Sequence, residues 1–110
     1  NLLLIIWGGC KTALGCDNLT TASVSTTTGP PRAAAAVGFE ESVITYSLPI
    51  FSESFWEQFA GLPQANVDDA TYEACWDAWV LTGDEGILSY QVEGDYAVTL
   101  APTRWNGGDE

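Results

Sequence analysis

The side chains best equipped for chemistry are carboxylates, and three adjacent pairs stand out: Glu40-Glu41, Asp68-Asp69 and Asp84-Glu85. Two carboxylates flanking a cleft roughly 5–10 Å apart do the acid–base work of glycoside hydrolysis. A small body offers little cleft, and acids recur along the chain, so these pairs read as solvated surface charge. The D-T-G and D-S-G signatures of aspartic proteases are absent, and Thr82-Gly83-Asp84 runs in a different order. The chain contains no His. That removes Ser-His, Cys-His and His-metal constellations together. Oxygen ligation of Ca²⁺ needs several carboxylates and carbonyls converging on one loop. Asp84, Glu85, Glu93 and Asp95 are expected at opposite ends of a hairpin, and no D-x-[DN]-x-[DN]-G loop exists. We therefore assign no catalytic residue, no metal and no cofactor.

Three cysteines leave one odd thiol. Cys10 and Cys16 stand close, while Cys75 lies in a helical pattern. The C-x₅-C spacing, with no second pair and no His, is not that of a zinc site. The expectation is a Cys10–Cys16 disulfide in a secreted or surface protein, with Cys75 buried as a small apolar residue. Asn18-Leu19-Thr20 is a glycosylation sequon. It opens a Ser/Thr-rich run that includes Thr20, Thr26, Thr27 and Thr28 and closes at Gly29-Pro30-Pro31. That composition suits an O-glycosylated stalk, and equally an exposed strand.

Aromatic side chains are the remaining resource. Of the five Trp, Trp76 and Trp79 fall with Tyr72, Cys75 and Val80 on one stripe at helical spacing, which predicts core. Trp56 is a candidate for a sugar-stacking groove. Trp7 and Trp105 lie near the termini and suit an intermolecular contact.

The elements that position these groups belong to a chain of 110 residues with a net charge of -12. Such a charge argues against nucleic acid and anionic membrane surfaces as partners. The charge is unevenly spread. Residues 1–38 carry a net +1 and residues 39–110 a net -13, and twelve of the thirteen aromatics follow position 38. We expect an N-terminal arm over 1–38 and an acidic globular body over 39–110, with Ala33–Ala36 as the joint. The chain starts at Asn1 and lacks Met, which reads as a processed or truncated chain. The apolar run Leu2, Leu3, Leu4, Ile5, Ile6, Trp7 is far shorter than the ~20 residues of a membrane span. It must bury itself against something, since exposure forfeits ~1.5–3 kcal/mol per large side chain.

Within the body, Ser42–Phe51 reads as one strand, in which Pro49 marks an edge or the strand's end. Ser54-Phe55-Trp56-Glu57 fits a capping box that opens a two-turn helix closed by Gly61. A second helix is expected from Ala70 to Val80, capped by Asp68 or Asp69, with Asp69, Glu73 and Asp77 as an acidic stripe beside its apolar one. Ile87–Val92 and Tyr96–Leu100 read as a hairpin, followed by a polar tail. The fold class is α+β, mainly antiparallel β, sandwich-like or a small open sheet, with one or two short helices and an extended N-terminal arm.

An apolar arm ahead of an acidic body suits a structural, self-assembling subunit of an extracellular or surface filament. Leu2 to Trp7 would insert into a neighbouring copy in a donor-strand-like manner. A virion coat or decoration protein shares that logic. A small secreted sugar- or protein-binding module is the third expectation, in which the arm folds back on its own subunit. Partners are copies of the chain itself, with glycans as further surface groups.

Overall fold

The computed structural model describes residues 2–15, 18–26, 29–61 and 63–99. Strands β1 (Leu2–Ile6), β2 (Ala33–Phe39) and β3 (Tyr90–Gly94) form one sheet in the order β1-β2-β3. Helix α1 (Leu19–Val24) links β1 to β2. Helices α2 (Ser47–Phe59) and α3 (Val67–Thr82) and a 3₁₀ turn (Glu85–Ser89) link β2 to β3. β1 runs parallel to β2, with Leu4 opposite Ala35 and Ile6 opposite Val37. β3 runs antiparallel to β2, with Val92 opposite Val37. The fold is a small α+β domain with a mixed sheet, so the mainly antiparallel expectation is corrected. A parallel neighbour needs a crossover, and α1 supplies it.

The extended arm is likewise replaced. Leu2–Ile6 is a strand of the chain's own sheet, and Leu4 and Ile6 pack on the core. This answers the burial requirement within one subunit. The expected joint, Ala33–Ala36, is the start of the central strand, and the boundary at residue 38 falls inside β2. Ala35, Val37 and Phe39 join the core cluster with α2 and α3. The other face meets α1. A Cβ on Gly38 would overlap the Thr20 hydroxyl and crowd that of Thr12, so glycine here lets α1 and the loop before it lie against the sheet. Thr20 Oγ1 donates to Thr12 O at 3.0 Å, and Thr12 Oγ1 accepts from the Phe39 N–H at 3.0 Å. Small side chains on β2 leave room for helices on both faces.

Residues 42–51 are a turn and the first part of α2, not a strand. Pro49 lies in the first helical turn, where its missing N–H would have had no partner in any case. Phe51, Phe55 and Phe59 recur every four residues and are all buried. Ser54 is mid-helix and caps nothing; its Oγ donates to Asp77 Oδ2 at 2.5 Å, tying α2 to α3. The N-cap of α3 is Asn66, whose side-chain oxygen accepts from the Asp69 N–H at 2.8 Å. Asp68 and Asp69 follow in the first turn, where the helix dipole favours negative charge. Gly83 ends α3 in the left-handed conformation at φ 70°.

No hairpin forms over 87–100 among the described residues. Ile87 and Leu88 belong to the 3₁₀ turn, and β3 pairs with β2. Residues 95–99 turn back to α3, where Val98 O accepts from the Val67 N–H at 2.8 Å. Central β2, buried along most of its seven residues, offers β3 a longer partner than the expected strand Tyr96–Leu100.

Candidate functional site

Among the described residues, strand β1 has β2 on one side and no strand on the other. Its five residues are Leu and Ile, without a charge, a proline or a bulge. Natural sheet edges are usually blunted by such features, because an open apolar edge invites pairing with another chain. Leu2 is 58% exposed and Leu3 41%. Along the helical face of this edge lies an apolar groove of about 310 Å³, lined by Leu4 and Ile6 of β1 and by Leu48, Phe51, Ser52 and Trp56 of α2. Ile5 is half-buried. Trp7, just after the strand, is also half-buried, and its indole N–H donates to Ser23 Oγ at 2.8 Å. The structure thus sets β1 beside α2 residues that the sequence reading did not connect with it. The four-residue spacing of Phe51, Phe55 and Phe59 was the signal that would have extended the expected helix back from Ser54 to Leu48.

Helix α3 carries a second apolar surface. Its buried stripe is Val67, Ala70, Thr71, Ala74, Cys75 and Ala78. The expected stripe of Tyr72, Cys75, Trp76, Trp79 and Val80 keeps only Cys75 inside. Tyr72, Trp76 and Val80 are exposed, and Trp79 is half-buried. The helix carries large apolar side chains on more than one side, beside the acidic stripe of Asp69, Glu73 and Asp77, and it turns its smallest side chains toward the phenylalanines of α2, where close approach is rewarded. Trp76 packs edge-on to Tyr72 at 6.2 Å and to Trp79 at 5.2 Å, and Trp79 Nε1 donates to Glu85 Oε2 at 3.3 Å. These aromatics form an outward ridge.

The carboxylate pairs serve structure or solvent. Asp84 is buried and accepts from three donors. Glu41, Asp68, Asp69 and Glu85 are exposed. Among the described residues no group of three or more His, Cys, Asp and Glu is placed to hold a metal ion. No described helix is long and apolar enough to cross a membrane.

Asn18 caps α1 by accepting from the Thr21 N–H at 2.9 Å, and its Nδ2 donates to Gly15 O at 2.6 Å. Thr20 is buried and Thr26 exposed. The expected exposed strand or stalk begins instead as α1. Cys16, Thr27, Thr28 and Trp105 lie outside the described residues. Cys10 is exposed, and its Sγ accepts from the Val43 N–H at 3.3 Å. Partial burial and the nearby Cys75, Asp68 and Tyr72 push the Tyr90 phenol up.

Burial pushes the Cys75 thiol far above the ordinary range. Native protein at about pH 9 will therefore leave Cys75 unmodified by a disulfide reagent, whereas guanidinium-unfolded protein reacts there; peptide mapping reads the difference. The unfolded chain loses this proton first, so the Cys75 contribution to stability declines as pH rises past the ordinary thiol pKa. Native labelling of Cys75 would show that the α2–α3 interior opens readily.

Comparison with family models, with curated proteins and with solved structures finds no match.

Proposed function

We propose that this chain is a structural, self-assembling subunit, joined to copies of itself along β1 in an extracellular or surface filament. One observation carries the reading: an uninterrupted apolar strand stands at the sheet edge with an apolar groove beside it. Since β1 is seated in its own sheet, the contact is made along its free side, without an arm leaving the subunit. An added strand would satisfy the free backbone groups of β1 and lay alternate side chains over Leu48 and Trp56. The opposite edge is β3. Joining unlike edges repeats head to tail and does not close by itself, which yields a filament.

The test is mass against concentration by light scattering. The chain is expected to grow from 11.8 kDa to large assemblies, and Leu3→Lys to stay monomeric with a little-changed thermal midpoint, because Leu3 is partly exposed. A wild type that stays monomeric at every concentration, or a Leu3→Lys variant that assembles as before, overturns the reading.

The exposed ridge of Tyr72, Trp76 and Trp79 favours a second reading, a small secreted sugar- or protein-binding module. In that case the chain is monomeric and sugar or protein quenches the fluorescence of Trp76.

A further inference from the structure

On the solvent side of the helical layer, α2 and α3 enclose a groove of about 450 Å³ that is separate from the β1 edge. Its apolar part is Ile50, Val80 and Leu81; Val80 is 69% exposed and Leu81 70%. Its rim is Glu53, Glu57 and Asp77. Glu53 and Glu57 stand one helical turn apart on α2, and Asp77 faces them from α3, held by the Ser54 hydroxyl. No Lys, Arg or His occurs between residues 39 and 99. Nothing on these elements therefore offsets the three carboxylates. Two neighbouring aliphatic side chains left in water beside uncompensated charge make a surface with two requirements. Its occupant must bring apolar side chains for the floor and cations for the rim.

We propose that the α2–α3 groove binds an amphipathic, Lys/Arg-bearing helix of a partner protein. The helix lays an apolar face on Ile50, Val80 and Leu81 and sets its cations against Glu53, Glu57 and Asp77. Anchors at i, i+3 and i+4 match a groove running from Ile50 to Glu57, about two helical turns. Charge complementarity fixes the sign of the partner and speeds its approach, while the apolar floor supplies affinity.

The experiment titrates the full chain with a synthetic Leu/Lys amphipathic peptide of about fourteen residues, read by anisotropy of a labelled peptide. Saturable binding to one site is expected, weakening as salt rises. A peptide of the same composition, scrambled so that no single apolar face forms, is expected to bind at least about tenfold more weakly. The double variant Glu53→Lys/Glu57→Lys is expected to lose at least about tenfold, and Glu41→Lys/Glu93→Lys, with the same change in net charge, less than about twofold. Glu41, Glu53 and Glu57 are exposed and Glu93 is half-buried, and thermal melts verify folding. Leu81→Asn gives an independent reading of the floor and is expected to weaken binding several-fold. The proposal fails if the scrambled peptide binds equally, if both charge-reversed proteins lose affinity alike, or if the amphipathic peptide does not bind.

Discussion

Phe55→Ala is expected to cost about 3–5 kcal/mol of folding stability, a large part of the ~5–15 kcal/mol typical of a native domain. Phe55 is fully buried at the centre of the α2–α3 interface. Its ring lies 5.9 Å from Phe51, 5.2 Å from Phe59 and 5.2 Å from Trp56, the last edge-on. Truncation removes the apolar burial of one ring and the aromatic contacts of three others, and leaves a void that buried helices cannot close. Phe55→Leu keeps most of the volume and should cost less than about half as much. Urea unfolding reads both. A loss below about 1 kcal/mol for the alanine variant would mean that α2 is not packed as described.

Asp84→Ala follows, at about 3 kcal/mol. The carboxylate is 3% exposed. Oδ2 accepts from the Ile44 N–H at 2.7 Å and lies 2.7 Å from Ser47 Oγ, while Oδ1 accepts from the Gly86 N–H at 3.0 Å. The single group therefore ties the entry to α2 to the start of the 3₁₀ turn, which precedes β3. Alanine leaves the buried Gly86 N–H and the part-buried Ile44 N–H without their acceptor, and a buried donor without a partner carries its full desolvation penalty. Asp84→Asn keeps one carbonyl oxygen and puts an amide N–H₂ where an acceptor is needed, so an intermediate loss is expected. Denaturant melts with amide exchange at Ile44 and Gly86 decide it. Unchanged exchange at both amides in the alanine variant would refute the role.

Much of the local grammar was legible. Helix α3 was expected because apolar residues recur at helical spacing, and it forms. Which of its sides is buried was not legible, because side-chain size pointed to Tyr72 and Trp76 while packing against Phe51, Phe55 and Phe59 favours Ala70, Ala74 and Ala78. Residues 47–51 read as strand because Ile50 and Phe51 are strand formers and Pro49 looked like a terminator. In the first turn of a helix that proline removes nothing. The apolar run Leu2–Ile6 was expected as part of an arm donated to a neighbouring copy, and it pairs instead within its own sheet. The identity of its neighbour is a tertiary fact: Ala33–Ala36 has a composition of low strand propensity, and only pairing on both edges makes it strand. The β1 groove needed both of these missed elements, so it was not visible from sequence.

The central position of β2 has a kinetic consequence. Helices α2 and α3 are joined by a short link and form a local pair, whereas β2 must find one neighbour near the start of the chain and the other beyond both helices. Helix pairs form in microseconds, and long-range strand pairing is slower by orders of magnitude. During synthesis, at ~5–20 residues per second, β2 waits seconds for β3 to emerge. For that interval its second edge is unpaired, the condition under which strands recruit wrong partners. Ala33, Ala34, Ala35 and Ala36 bury little apolar area and have weak strand propensity. The segment that waits longest for its partner is thus the one least able to hold a false one.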